Sequence, residues 1–131
     1  MKWLKHKYWA LQHRFWSVVT QAEVHLNANI EGGLLLTHPN GVVVHPEARI
    51  GPNCLLLQQV TLGVGNLNGK HGTPILKGHV DVGAGARIFG PVTIGEHALI
   101  GANAVVLQDV PAGATAVGIP ARIIEHRKDT T

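Results

Sequence analysis

Aliphatic residues return every six positions along most of this chain, at Val44, Ile50, Leu56 and Leu62 and again at Val82, Ile88, Ile94, Ile100 and Val106. Four residues after most of them stands a small or branched residue: Cys54, Val60, Ala86, Val92, Ala98, Ala104 and Val110. Glycine often follows the aliphatic position directly, as at Gly51, Gly63, Gly83, Gly95 and Gly101. A helix repeats near 3.6 residues and a simple strand alternates by two, so neither explains a strict six. A short strand followed by a corner does. Three such units close a triangular coil, and stacked coils lay like residues on one another while backbone groups pair between coils. The pattern predicts a mainly β chain, wound as a parallel β-helix over residues 23–124.

Two irregularities stand out against that period. An earlier run, Val24, Ile30, Leu36 and Val42, meets the first block with a two-residue shift, which predicts an irregular corner near residues 38–44. Between Leu62 and Val82 the spacing is twenty, two more than three repeats, so residues 63–74 (GVGNLNGKHGTP) are expected to project as a loop. Ahead of the coils, Leu4, Tyr8, Leu11, Phe15 and Val18 or Val19 form one apolar stripe, which predicts a helix over residues 2–20. Residues 1–22 are then a cap on the first coil or on a neighbouring subunit. The helix is also basic and rich in tryptophan, a character that suits peripheral contact with an anionic membrane surface as an alternative. Residues 125–131 read as a polar tail.

Composition sharpens this picture. Five of the six aromatic residues fall in the first sixteen positions, so the coils must pack with small and branched aliphatics. No run of about 18 apolar residues exists to span a bilayer, and no signal-peptide pattern opens the chain, which makes the cytoplasm the expected address. A formal charge of +3, gathered at the two ends, gives no footprint for nucleic acid. The single cysteine, Cys54, is expected to be a small buried side chain rather than a nucleophile.

Four segments carry a resemblance: LLLTHPNGVVV (34–44), LLLQQVTLG (55–63), GAGARIFG (83–90) and VVLQDVPAGATAVGIPARII (105–124). Together they resemble the hexapeptide-repeat acyltransferases, and within them the catalytic part of the serine O-acetyltransferases, over about three quarters of the chain. That resemblance implies a left-handed β-helix, a homotrimer, acetyl-CoA as co-substrate, a small hydroxyl acceptor and no metal. His38 falls on the family's general base and Glu23 on the aspartate paired with it. His71 lies near the second active-site histidine, although Gly72 and Thr73 separate it from the proline that normally follows. Thr37 stands where the serine-specific enzymes usually carry aspartate, and Lys70 where they usually carry arginine, both in contact with substrate. By the same resemblance the coenzyme lies in a groove between subunits, its pantetheine arm against Gly83, Ala84 and Ala102. Arg122, Arg127 or Lys128 then meets its phosphates; the oxyanion of the transfer step needs donors, which the backbone amides of Gly63 to Gly65 or the side chain of His71 could supply. Family enzymes also carry a long helical N-terminal domain, where only residues 1–22 precede the coils here. In this the chain is similar to the short relatives associated with polysaccharide biosynthesis, whose acceptors are often sugars.

The chemistry asks for such residues. An alcohol at neutral pH is a poor nucleophile, and histidine, with an ordinary pKa of about 6.5, can take its proton. A carboxylate on the other ring nitrogen would fix the tautomer, and the fifteen residues from Glu23 to His38 come close to one coil, so the two are expected on nearly stacked corners. His6, His13, His25, His45, His79, His97 and His126 belong to no motif and are expected to be surface or packing residues. Two rival readings differ in class. A zinc-dependent carbonic anhydrase of the gamma type would use His38, His71 and His79, but their spacing does not match and no CxxC or HExxH accompanies them. A non-catalytic scaffold would have no use for the histidine corner or the projecting loop.

Overall fold

Each six-residue step forms one side of a triangle. The structure, a computed structural model, describes residues 1–124; the tail 125–131, with His126, Arg127 and Lys128, lies outside the described residues. Face 1 stacks Glu23–Val24, Val43–Val44, Thr61–Gly63, Arg87–Phe89 and Val105–Val106. Face 2 stacks Asn29–Ile30, Arg49–Ile50, Ile75–Leu76 and Thr93–Ile94, and face 3 stacks Leu55–Leu56, Asp81–Val82, Leu99–Ile100 and Thr115–Val117. All these neighbours run parallel, and Leu35 adds a bridge to Leu55 on face 3. The result is a left-handed parallel β-helix of five coils.

Register locates both irregularities. Val43 pairs with Thr61 and Arg87 with Val105, eighteen residues apart, but Glu23 pairs with Val43, so coil 1 holds two extra residues. The irregular corner is therefore where the sequence placed it, between Leu36 and Val43. The second irregularity is larger than expected. Leu76 occupies the face 2 rung between Ile50 and Ile94, so the gap from Leu62 to Val82 is two repeats plus eight residues, not three repeats plus two. The inserted residues form a hairpin in place of the expected plain loop, with Gly65–Leu67 antiparallel to Lys70–Gly72. Asn68 and Gly69 close it with left-handed φ angles of 52° and 78°, the geometry that Asn-Gly turns supply.

The interior is aliphatic throughout. Every residue of the six-fold series from Val44 to Val106 is buried, as are Cys54, Val60, Ala86, Val92, Ala98, Ala104 and Val110, and no polar side chain is buried among the described residues. A fully buried Ile or Leu contributes about 1.5–3 kcal/mol, so the ladders supply most of the driving force. Burial also holds the Cys54 thiol above its ordinary range, against a smaller opposing effect of the Val80 backbone hydrogen bond. A raised thiol pKa stabilises the fold at pH below the free-thiol value, and that contribution is lost as pH rises through the raised one. An aromatic disulfide reagent at pH 8 should leave Cys54 untouched in the native chain and label it fully in denaturant; rapid native labelling would contradict its burial.

The two ends are finished differently. A helix, Lys2–Thr20, lies over coil 1 and stops at Gln21, which takes a left-handed φ of 54°. The helix buries none of its residues; the Nε2 of His13 donates to the carbonyl of Val24 at 2.7 Å and ties it to the coil. Between them runs an apolar groove of about 550 Å³ that includes Trp9, Trp16, Leu26 and Leu36. His13 is thus a tether, although no motif marks it. At the far end, Arg122–Ile124 turns back and pairs antiparallel with Thr115–Val117. No helix of the described residues is long and apolar enough to cross a membrane.

Candidate active site

One edge of the prism, where face 3 turns into face 1, gathers most of the expected site. Thr37 and His38 lie in its first corner, the one with two extra residues, and both are exposed. The extra length lets this corner stand away from the coil and open a pocket of about 460 Å³ with Val19, Thr20, Gln21, Pro39 and Asn40. A backbone ladder descends from there: Gln59 N–H donates to Asn40 O (2.9 Å), Gly85 N–H to Gln58 O (2.9 Å) and Asn103 N–H to Ala84 O (2.8 Å). Gly83, Ala84 and Ala102 thus share the edge with His38. Three rungs separate Ala102 from the histidine corner, roughly 14 Å at the usual strand spacing.

Packing between coils asks for glycine at position 83. A Cβ there would lie 2.7 Å from Ala102 N and 2.9 Å from Gly101 C, so close stacking of coils 3 and 4 demands it. Ala84 is half-buried and Ala102 exposed, and these two form the ledge a ligand can reach. At the foot of the edge, Val105 N–H donates to Gly118 O at 3.0 Å, and exposed Arg122 pairs opposite Val117. A histidine, a small-residue ledge and a cation therefore follow one another along a single edge.

Glu23 lies beside this edge. It sits on the flat of face 1 opposite Val43, five residues beyond His38, with its N–H donating to Val42 O at 2.7 Å. Among the described residues no hydrogen bond or ion pair joins it to His38. His38 shares its pocket with Thr20 and Gln21, at the end of the helix.

Gly63, Lys70 and His71 lie at the opposite edge of face 1. Gly63 stacks on Phe89, whose ring a Cβ would meet at 2.5 Å, so its glycine also serves packing. Lys70 and His71 are exposed on the second hairpin strand, braced where Gly72 meets Pro91 and Leu67 meets Gly90. Within one chain, then, His38 and His71 do not come together. His79 lies on the third edge, so His38, His71 and His79 cannot converge on one ion inside a chain.

No family model matches the chain. It is 45% identical over 108 residues to a serine acetyltransferase of Synechococcus elongatus, covering 82% of this chain and 44% of that protein. To a serine acetyltransferase of Helicobacter pylori it is 44% identical over 107 residues, covering 81% and 62%. The chain thus spans less than two thirds of the length of these relatives. Among solved structures, a serine acetyltransferase of Vibrio cholerae superposes with a TM-score of 0.77 at 38% identity, over 86% of this chain and 44% of that one. One in complex with CoA gives 0.73 at 42% identity, over 82% and 44%. The Neisseria gonorrhoeae enzyme in complex with serine gives 0.77 at 38% identity, over 92% and 48%.

Proposed function

We propose, on the premise that this chain is a serine O-acetyltransferase-like hexapeptide-repeat protein, that it transfers acetyl from acetyl-CoA to the hydroxyl of L-serine. The observation that carries the reading is the single edge on which His38, the Ala84 and Ala102 ledge and Arg122 lie in order. A thioester arm laid along it brings its carbonyl to the pocket at His38 while its phosphates approach Arg122. His38 takes the proton of the acceptor hydroxyl as the oxygen attacks the thioester carbonyl. The tetrahedral intermediate then collapses, the C–S bond breaks, and the imidazolium returns its proton to the departing thiolate.

A second chain completes this arrangement. His38 stands on one edge of face 1 and the hairpin with Lys70 and His71 on the other, so a cyclic trimer packed around face 1 sets each hairpin against the neighbour's histidine corner. In that setting Thr37 and Lys70 are the groups nearest the acceptor. A saccharide hydroxyl is the second reading, favoured because Thr37 and Lys70 replace the aspartate and arginine that hold serine in the resembling enzymes. Thiol release from acetyl-CoA, followed with L-serine and with free saccharides or nucleotide sugars, tests both. Release dependent on L-serine is the expected result; release with a saccharide alone moves the acceptor, and none with either removes the activity.

A further inference from the structure

The third edge of the prism, where face 2 turns into face 3, takes no part in the proposed transfer. At its corners one residue per coil adopts a left-handed backbone: Gly33, Asn53, His79, His97 and Gly113. The inter-coil bonds show that these five positions stack, since Asn53 N–H donates to Gly32 O, His79 to Pro52 O, His97 to Gly78 O and Gly113 to Glu96 O. A left-handed corner favours glycine, with asparagine, aspartate and histidine tolerated next, and three of the five use glycine or asparagine. The backbone geometry therefore does not call for histidine in coils 3 and 4.

Stacking brings the two imidazoles together. Their ring centroids lie 4.7 Å apart at an interplanar angle of 13°. Glu96 precedes His97 in the same corner, and one donor atom from each of His79, Glu96 and His97 lies within 4.8 Å of the others. All three side chains are exposed, and among the described residues none is engaged by a hydrogen bond or ion pair, so a ligand has only the ring stacking to displace.

We propose that His79, Glu96 and His97 bind a divalent transition-metal ion, with Zn²⁺ as the representative probe. Two imidazoles and one carboxylate form a donor set that zinc accepts, at about 2.0–2.2 Å per bond. Two donors on a tetrahedral ion then stand roughly 3.3 Å apart, so the exposed side chains rotate out of the present stack to close on the ion. Water fills the fourth position. The ion ties the corner of coil 3, the coil that carries the hairpin, to the corner of coil 4. Its effect is on cohesion between coils, and it is separate from the chemistry at His38.

Titration of the full chain with Zn²⁺ by calorimetry, alongside thermal melts, tests this. The expected result is one ion per chain and a Tm that climbs with zinc concentration. His79→Asn and His97→Asn retain a residue suited to the left-handed corner, as Asn53 and Asn103 show, so they should fold normally. Each should weaken zinc binding about 100-fold or more, and Glu96→Gln should weaken it less. His45→Gln, on another edge, should bind as the native chain does. Unchanged binding in the two asparagine variants, loss of binding in His45→Gln, or no uptake by the native chain at millimolar zinc would each overturn the site.

Discussion

His38→Ala should lower the rate of acetyl transfer by about 10²–10⁴ while the melting temperature and the oligomer stay as they are. The size follows from the role: without a base the acceptor must attack as a neutral alcohol, and orientation along the edge supplies whatever rate remains. The unchanged stability follows from exposure, because His38 has no hydrogen-bond partner among the described residues and its corner already stands off the coil. Steady-state kinetics should show the loss in kcat, with KM for acetyl-CoA nearly constant, since the ledge and Arg122 lie elsewhere on the edge. A variant with native turnover would remove His38 from the chemistry, and one that melts early would recast it as structural.

The second large effect concerns the spacing of the coils. In Gly51→Ala the new methyl would overlap the backbone carbonyl oxygen of Lys77 and approach that of Leu76 to 2.9 Å. The obstacle is main chain, and Gly51 N–H already donates to Leu76 O at 2.7 Å, so relief requires coils 2 and 3 to part. Overpacking of a core usually costs about 1–3 kcal/mol, and a rigid obstacle puts this case at the upper end, with a Tm drop on the order of 10 °C. Gly113→Asn is the contrasting variant. Gly113 has a left-handed φ of 70° with open space around it, and asparagine tolerates that geometry, so the melt should hardly change. Equal effects from the two would show that close approach is not what Gly51 provides.

The periodic residues made the fold readable before any coordinates. Ile50, Ile88, Ile94 and Ile100 repeat at six and are all buried, because a stacked solenoid gives each rung the same environment as the next. The coil around the insertion was harder. Leu76 and Val80 are buried but fell outside the counted series, since an insertion of eight hides the register unless the hairpin is recognised first. Asn68-Gly69 was the available signal, an Asn-Gly pair between two short segments. For the site, residue type picked out His38 and Arg122, but the edge that joins them depends on how many residues each corner holds. The two-residue excess in coil 1 is visible in the sequence as a slip of register, while the direction in which the corner bulges is not. The stacked pair His79 and His97 carried a clue as well: they are eighteen residues apart, one regular coil, so any two such residues lie one above the other.

A solenoid of identical rungs has no intrinsic length, because its last coil offers the next chain the same row of unpaired amides and carbonyls that it offered its own. Here the terminal strand Arg122–Ile124 doubles back antiparallel on Thr115–Val117, so an incoming parallel rung finds the polarity reversed. At coil 1 the helix is tied on through His13 and the carbonyl of Val24. On face 3, then, the stacking of parallel rungs stops at Arg122–Ile124.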